Sequence, residues 1–330
     1  MDIDGDGHPD LISGSWPGEI FLFRGTADHS FAAREMLKYK DGEIIDIGGG
    51  TEPYRGGQGI LIRGFVERET VDGRSYVTYH GKRIESTPEK PVVTTGTASV
   101  VSAADWDGDG DYDLIVGNIN GDVYLVPNEG TAESYAFGKE KKLMAGGQPV
   151  HVTERAGPCV ADWDGDGDLD LLVGSDDGSV WLYSNTGSAK APELAAGVRL
   201  LPSSRRSNPR EYSKEAQRGS RSKICVADWN GDGRPDLLVG DFAQQRPGRP
   251  DPTPEELTKQ DRIRRELEPL QKQYSALLQK LTGPSPVRTK EENDKLNEEM
   301  KQLREKMQSL QSQLPHEYEN HGWVWLFSRK

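Results

Sequence analysis

One ten-residue signature, D-x-(D/N)-G-D-G-x-x-D-L, occurs four times and constrains the fold and chemistry of this chain more than any other feature. The copies are DIDGDGHPDL from residue 2, DWDGDGDYDL from 105, DWDGDGDLDL from 162 and DWNGDGRPDL from 228. Oxygen atoms at alternate positions of a tight loop suit a hard cation such as calcium. Glycine at positions 4 and 6 lets the backbone turn sharply. The signature therefore predicts four metal-binding loops.

Five positions of each loop are expected to supply the oxygens. Positions 1, 3 and 5 lie on one concave side, position 7 offers its backbone carbonyl, and the Asp at position 9 closes the shell. The candidates are Asp2, Asp4, Asp6, His8 and Asp10; Asp105, Asp107, Asp109, Asp111 and Asp113; Asp162, Asp164, Asp166, Asp168 and Asp170; Asp228, Asn230, Asp232, Arg234 and Asp236. An EF-hand is excluded, because position 12 lacks the bidentate Glu and holds Ser13, Val116, Val173 and Val239. A metal-free turn that caps its own amides stays open as an alternative.

Each loop is followed by an apolar run, a glycine-containing turn and a strand of alternating character. These strands read GEIFLF (18–23), GDVYLV (121–126), GSVWLY (178–183) and GWVWLF (322–327), and ELAAGVRLL (193–201) is typical of a looser outer strand. Alternation with aromatic and β-branched residues indicates antiparallel strands. One small sheet cannot bury both of its faces alone, so self-similar units of this size predict a radial array.

The signature, the following hVG run and the G-x-V-x-L strand resemble the FG-GAP/VCBS repeat. That family forms β-propellers, including the calcium-binding propeller of integrin α-subunits. The resemblance implies an all-β fold with four recognisable calcium-loop blades, and up to four Ca²⁺ ions, one per loop. The side-chain ligands it implies are Asp2, Asp4, Asp6 and Asp10; Asp105, Asp107, Asp109 and Asp113; Asp162, Asp164, Asp166 and Asp170; Asp228, Asn230, Asp232 and Asp236. Because Asn230 replaces an Asp, the fourth site is expected to bind more weakly.

The spacing of the motifs predicts the organisation of the chain. The expected parts are a first blade (1–45), an insertion or metal-free fifth blade (46–104), two further blades (105–161 and 162–227) and a last blade (228–330) interrupted by a helical hairpin (253–315). Within the first insertion, GILIRGFVE and RSYVTYHGKRI predict a β-hairpin that turns at residues 71–74. Spacing alone does not decide between four and five blades. Because the first signature begins at the second residue, an N-terminal piece is expected to precede it.

Two segments inside the last blade show strict heptad spacing. The apolar positions are Ile263, Leu267, Leu270, Tyr274, Leu277 and Leu281 in the first, and Leu296, Met300, Leu303, Met307, Leu310 and Leu314 in the second. Capping boxes begin at Thr253 and Thr289, and residues 283–286 break the chain between the segments. This pattern predicts an antiparallel coiled-coil hairpin with arms of about 40 Å. Pro269 is expected to bend the first arm.

The direction of the strands predicts which face of the molecule carries the two insertions. Successive strands of a blade alternate in direction, so both insertions lie on the face opposite the calcium loops. We expect this face to engage a protein partner or a surface glycan, while calcium is structural. The hairpin either recruits a partner, links copies into a homo-oligomer, or is a self-contained spacer.

Composition narrows the class of partner and the compartment. The chain has a formal net charge of −13, which argues against nucleic-acid binding. It lacks an apolar run long enough to span a membrane. Calcium loops favour an extracellular or cell-envelope location (periplasm or outer surface), although no signal peptide is visible. Cys159 and Cys225 occupy equivalent positions and are interpreted as small buried hydrophobes rather than a disulfide.

Catalytic chemistry has little support in the sequence. None of the six His residues falls in a nucleophile, zinc or acid/base motif, so no catalytic residue is assigned. The predicted function is a calcium-stabilised binding module. The alternative, by resemblance, is a carbohydrate-active enzyme similar to polysaccharide lyases on a calcium-binding propeller. Its candidate cleft residues are Arg55, Arg63, Tyr76, Tyr79 and His80.

Overall fold

The computed structural model describes residues 1–54, 58–204, 213–248, 250–282, 290–316 and 318–329 of the chain. Within these ranges the regular elements are short strands and two helices, so the fold is mostly β. Some of the predicted features lie outside the described residues, namely Arg55, the break at 283–286 and the second capping residue, Thr289.

Residues 1–95 form three small sheets. The first, which we call sheet 1, is antiparallel and contains β1 (Leu11–Gly14), β2 (Ile20–Phe23) and β3 (Glu35–Met36). The predicted insertion contains β4 (Gly50–Pro53), β5 (Ile60–Arg63), β6 (Glu67–Val71), β7 (Arg74–Tyr79), β8 (Lys82–Ser86) and β9 (Val92–Thr95).

The insertion differs from the repeating units. β5 lies between β4 and β9 and pairs with β9 in parallel, whereas β6, β7 and β8 form an antiparallel meander. The turn between β6 and β7 is at Asp72 and Gly73, both with positive φ, as the sequence predicts. The predicted first strand of that hairpin is partly wrong, because Ile60–Arg63 joins a different sheet and Glu67–Val71 pairs with β7.

Sheets 2 and 3 repeat one antiparallel arrangement. Sheet 2 contains β10 (Val100–Ala104), β11 (Asp113–Gly117), β12 (Val123–Val126) and β13 (Lys141–Lys142), and is followed by the small hairpin of β14 (Met144–Ala145) and β15 (Gln148–Pro149). Sheet 3 contains β16 (Gly157–Ala161), β17 (Asp170–Gly174), β18 (Val180–Tyr183) and β19 (Val198–Leu201). The outer strand of sheet 3 is therefore limited to the last four residues of the predicted segment 193–201.

Sheet 4 is interrupted by the helices. It contains β20 (Ser220–Ala227), β21 (Asp236–Gln245), α1 (Pro254–Thr282), α2 (Lys290–Gln311), β22 (Glu319–His321) and β23 (Val324–Phe327) in chain order. Leu237–Gly240 of β21 pair with β23, and Ala243–Gln245 pair with β22. Both helices are thus inserted between strands that are neighbours in one sheet.

The start of α1 has the predicted cap. The N–H of Thr253 donates to Glu256 Oε2 at 2.7 Å, and the N–H of Glu256 donates to Thr253 Oγ1 at 3.3 Å. α1 continues through Pro269, and α2 ends before the predicted heptad position Leu314.

The two helices contact each other along the predicted stripes. Ile263, Leu267 and Met300 are buried, and Arg304 donates to the Tyr274 hydroxyl at 3.1 Å. Within the described residues, no helix is long and apolar enough to cross a membrane.

Apolar side chains join the four sheets in chain order. Sheets 1 and 2 share a buried cluster that includes Ile20, Leu22, Leu114 and Val116. Sheets 2 and 3 share one that includes Ile115, Val123, Leu171 and Val173. Sheets 3 and 4 share one that includes Leu172, Val180, Leu237 and Val239. Each of these sheets therefore packs on the next one in the chain.

Candidate metal centre

The four signature segments form tight loops that lead into a strand of sheets 1 to 4. We call them loop 1 (2–10), loop 2 (105–113), loop 3 (162–170) and loop 4 (228–236). The glycines at positions 4 and 6 all have positive φ, between 70° and 100°. Side chains other than glycine rarely adopt this conformation, so the glycines are what allow the loop to turn.

The carboxylate at position 1 holds each loop closed. It accepts a hydrogen bond from the backbone N–H of the second glycine in every loop. The pairs are Asp2 with Gly7 at 2.8 Å, Asp105 with Gly110 at 3.2 Å, Asp162 with Gly167 at 3.1 Å and Asp228 with Gly233 at 2.9 Å. The position-5 carboxylate accepts from the N–H at position 7 in the same way.

Three loops gather carboxylates closely enough for one ion. In each of three sets, one oxygen per residue lies within 4.8 Å of the others. The sets are Asp2, Asp4 and Asp6; Asp105, Asp107 and Asp109; Asp162, Asp164 and Asp170. Loop 4 has Asn230 at position 3, and the Asn230 side-chain oxygen accepts a hydrogen bond from the Asp232 N–H at 2.8 Å.

Loop 2 contains two carboxylate oxygens that have no hydrogen-bond donor among the described residues. Among the described residues, Asp105 Oδ1 and Asp111 Oδ1 are buried and accept no hydrogen bond. Burial, together with neighbouring carboxylates such as Asp109, raises the pKa of Asp111 to about 6 and raises the pKa of Asp107. Buried acceptors that repel one another are a fit for a hard divalent cation with oxygen ligands.

Loop 3 has the same electrostatic character. Asp168 Oδ1 is buried without a hydrogen-bond donor among the described residues. Desolvation raises the pKa of Asp168, and the carboxylates of Asp166, Asp170 and Asp164 add to the effect. In both loops the residue at position 7 therefore carries a carboxylate whose pKa is raised in part by the other carboxylates of the loop. The sequence predicted only a backbone carbonyl at that position.

The Asp at position 9 has a structural role that the sequence argument missed. Both of its oxygens accept backbone N–H groups in every loop: Oδ2 from position 2, and Oδ1 from a residue fifteen positions later in loops 1 to 3 and from Arg329, beyond the helices, in loop 4. The bonded pairs are Asp10 with Ile3 and Gly25, Asp113 with Trp106 and Asn128, Asp170 with Trp163 and Asn185, and Asp236 with Trp229 and Arg329, at 2.7–3.2 Å. All four side chains are buried. This Asp ties the loop to the end of the next strand.

Loop 1 differs from loops 2 and 3 because the chain supplies a cation to it. The guanidinium of Arg24, at the end of β2, forms an ion pair with Asp4. Arg24 also contacts Glu35 at 2.8 Å and donates to the Tyr135 hydroxyl at 3.1 Å. The corresponding positions in the other units are Pro127, Ser184 and Ser328, which carry no charge.

The described members of the candidate catalytic cleft do not converge. Tyr76 and Tyr79 lie on opposite faces of β7, since side chains alternate along a strand. Tyr79 is buried, Arg63 pairs with Glu52 at 2.9 Å, and His80 packs edge-on against the Tyr79 ring.

The two cysteines are free thiols. Cys159 is half-buried, but Cys225 is exposed, so its interpretation as a buried hydrophobe is wrong. Cys159 lies in β16 of sheet 3, and Cys225 lies at the equivalent position of β20 in sheet 4.

Comparison with known proteins supports the interpretation of the signature as part of a repeat. A family model described as FG-GAP-like repeat matches residues 105–173 and 162–239. Integrin alpha-4 of Xenopus laevis is 24% identical over 246 residues, covering 69% of this chain and 22% of the integrin. The chain thus spans less than a quarter of that relative.

Two solved structures show a weak similarity to the chain. An Agrocybe aegerita lectin, described as recognising non-reducing terminal N-acetylglucosamine, has a TM-score of 0.30 and 16% identity, covering 73% of this chain and 61% of the lectin. BBS1N in complex with ARL6DN has a TM-score of 0.24 and 13% identity, covering 73% of this chain and 74% of that one. Neither score supports a fold assignment. The family match and the integrin similarity confirm the predicted resemblance: the chain carries FG-GAP-like repeats.

Proposed function

We propose that this chain is a calcium-stabilised binding module that engages a protein partner through the surface opposite its calcium loops. The similarity to an integrin α-subunit supports a role in protein or ligand binding and an extracellular or cell-surface location. The acidic clusters of loops 1 to 3 support calcium binding.

Calcium would supply a positive charge between carboxylates that otherwise repel one another. The chain's own residues would hold it, with the carboxylates of Asp111 and Asp168 nearby. The side chains that would do so are Asp2, Asp4 and Asp6 in loop 1; Asp105, Asp107 and Asp109 in loop 2; Asp162, Asp164 and Asp170 in loop 3. The glycines set the turn, and the position-9 Asp anchors it to the sheet. A bound ion then stabilises the loop without taking part in a reaction.

The strand order supports the proposed position of the partner surface. β21 begins at loop 4 and ends at Gln245, and both helices follow that far end. Residues 50–95 precede β10, whose last residue leads into loop 2. Hydrogen bonds join this second end of the sheets, from Thr97 N–H to the Pro17 carbonyl at 3.4 Å and from Ile119 N–H to the Thr97 carbonyl at 2.7 Å.

A capture experiment tests the helical arm. The full chain and a variant with residues 253–315 replaced by a short glycine linker are immobilised in calcium and exposed to cell-surface extracts. We expect a partner that only the full chain retains. The variant should keep the melting temperature of the sheets, which serves as the folding control. Equal capture by both proteins would contradict a role for the helices.

A surface glycan is the second candidate ligand, because a cavity of about 390 Å³ lies between residues 38–46 and the insertion. Phe65, Thr78 and His80 line it together with Asp46, whose pKa burial raises to about 7. Aromatic and polar groups in one concave site are the usual composition of a small-ligand pocket. The experiment is a glycan-binding screen with His80→Ala as the variant and His29→Ala as the control. Unchanged binding by His80→Ala would remove the cavity from consideration, and turnover of a polysaccharide would favour the enzymatic alternative.

The helices offer a separate route to self-association. Most of their heptad residues are only half-buried between α1 and α2. Pairing with a second hairpin would bury these stripes further. The solution mass of the full chain and of the hairpin-replaced variant tests this, since only the full chain should then associate.

A further inference from the structure

Arg24 joins loop 1 to the neighbouring sheet. Its guanidinium forms an ion pair with Asp4 and a second one with Glu35 at 2.8 Å. It also donates to the hydroxyl of Tyr135 at 3.1 Å, and this hydroxyl donates to Glu35 at 3.1 Å. Tyr135 lies between β12 and β13 of sheet 2, and Glu35 is the first residue of β3. Residues of two sheets therefore hold the guanidinium against a predicted calcium ligand.

Asp4 has both of its carboxylate oxygens engaged by the chain. Its Oδ1 accepts the backbone N–H at position 5 of the loop at 3.3 Å, and its Oδ2 pairs with Arg24. In loop 3, Asp164 Oδ1 accepts the equivalent N–H, also at 3.3 Å. The residue of that unit that corresponds to Arg24 is Ser184, which carries no charge. The two loops thus share the backbone hydrogen bond and differ in the guanidinium.

A guanidinium on Asp4 opposes a metal ion in the same loop. Like charges a few ångströms apart repel each other, and the Asp4 side chain is only 15% exposed, so water and salt screen this repulsion incompletely. Calcium affinity also depends on the number of charged ligands, and the guanidinium offsets one of the three carboxylates grouped in loop 1. Loop 1 should therefore be harder to fill than loops 2 and 3.

We propose that Arg24 competes with calcium for Asp4, which makes loop 1 a calcium site of lower affinity than loops 2 and 3. This inference rests on the proposed calcium binding of the loops and assigns a different response to one of them. At low calcium concentration, Arg24 is the cation of loop 1. At higher concentration the ion occupies the loop, the guanidinium leaves Asp4, and Glu35 retains it beside β3.

The first test follows Arg24 in the full wild-type chain. Phenylglyoxal modifies guanidinium groups, and mass spectrometry of the digested protein gives the extent of modification at each arginine. The reaction is run in chelator and at increasing concentrations of free calcium. Arg34 is the internal control, because its guanidinium packs on the Phe21 ring, 4.7 Å from the centroid. We expect Arg24 to react faster as calcium rises above the concentrations that fill loops 2 and 3, and Arg34 to react at a constant rate.

The second test measures the competition as an affinity. Calorimetric titration with calcium compares the wild type with Arg24→Gln, and Arg34→Gln is the matched control. Arg24→Gln should tighten the binding of one ion by roughly fivefold, because the competing ion pair is gone, and should leave the other ions unchanged. Asp4→Asn should weaken the same site. Thermal melting in chelator shows that every variant is folded.

The outcomes separate this inference from the proposed function. If calcium binds but the reactivity of Arg24 stays constant, or if Arg24→Gln binds every ion with wild-type affinity, Arg24 does not compete. The inference is then overturned while the proposed calcium binding stands. If no protein shows calcium binding in the titration, both are overturned. An equal gain in affinity with Arg34→Gln would also contradict the proposal, since it would reflect overall charge instead of a local competition.

Discussion

Loops 1 and 2 share one signature but differ in the cation available to them. In loop 1, Arg24 reaches Asp4 from the end of β2. In loop 2, the position matching Arg24 is Pro127, and the oxygens Asp105 Oδ1 and Asp111 Oδ1 are buried without a donor among the described residues. A ring of carboxylates needs positive charge nearby, which Arg24 supplies in loop 1 and which, under the proposed function, a bound cation supplies in loop 2.

The largest expected effect comes from the Asp at position 9, which accepts equivalent backbone hydrogen bonds in loops 1 and 2. Asp113→Ala should lower the free energy of unfolding by about 2–6 kcal/mol, because it leaves the buried N–H groups of Trp106 and Asn128 without an acceptor. Chemical denaturation in calcium measures this. Asp10→Ala should lower the free energy of unfolding by a similar amount, because Asp10 accepts the equivalent hydrogen bonds from Ile3 and Gly25. A loss below about 1 kcal/mol would show that water replaces the carboxylate.

Removing one carboxylate from loop 2 should have opposite effects with and without calcium. Asp107→Asn is expected to weaken calcium binding about tenfold or more, since it removes a charged ligand. In chelator the same change should raise the free energy of unfolding by up to about 1 kcal/mol, because it relieves repulsion with Asp105 and Asp109. Calorimetric titration and urea unfolding give the two values. The same sign in both conditions would contradict the proposed metal site.

The pH dependence of the calcium-free protein follows from Asp113. Burial raises its pKa to about 7 from an ordinary value of 3.8, and the carboxylates of Asp107 and Asp111 add to this. The folded state therefore holds the proton more tightly than the unfolded state. That stabilisation is complete below about pH 4 and is lost as pH rises through 7.

In chelator, the free energy of unfolding should accordingly be higher at pH 5 than at pH 8. Urea unfolding at both pH values measures the difference, and Asp113→Asn should reduce it. In saturating calcium the trend should weaken, because the ion favours the ionised carboxylates of the loop. A calcium-free protein that loses stability between pH 8 and pH 5 would contradict the electrostatic description of loop 2.

The smallest effect is expected from Arg24→Gln. In chelator it should destabilise the protein by about 1 kcal/mol, because the pair with Asp4 is partly exposed. Calcium should restore most of that loss by taking the place of the guanidinium in loop 1. Arg34→Gln is the control, since Arg34 immediately precedes β3 and packs on Phe21 instead of a loop. If calcium restores nothing, loop 1 is not a calcium site.

Local patterns predicted the parts of the molecule that depend on neighbouring residues. Alternate oxygens and glycines located the loops, and alternation located β2, β12, β18 and β23. The capping box placed the start of α1. Each of these features depends on about ten consecutive residues, so the sequence alone predicts it.

The remaining features depend on residues far apart in the chain. Arg24 meets Asp4 only because β2 turns back along β1, and Asp113 meets Asn128 only after two strands have paired. The parallel pairing of β5 with β9 could not be derived from their sequences, since it joins residues about thirty apart. The exposure of Cys225 could not be read from its local sequence, because Cys159 at the equivalent position is half-buried.

The most direct test of the central claim is the melting temperature of the full chain in calcium and after exhaustive chelation. Each loop saturated at a hundredfold above its dissociation constant should add about 2.7 kcal/mol to the free energy of unfolding. We therefore predict a large fall in melting temperature on chelation, reversed by calcium and less completely by magnesium. An unchanged melting temperature would show that the loops fold without a metal ion.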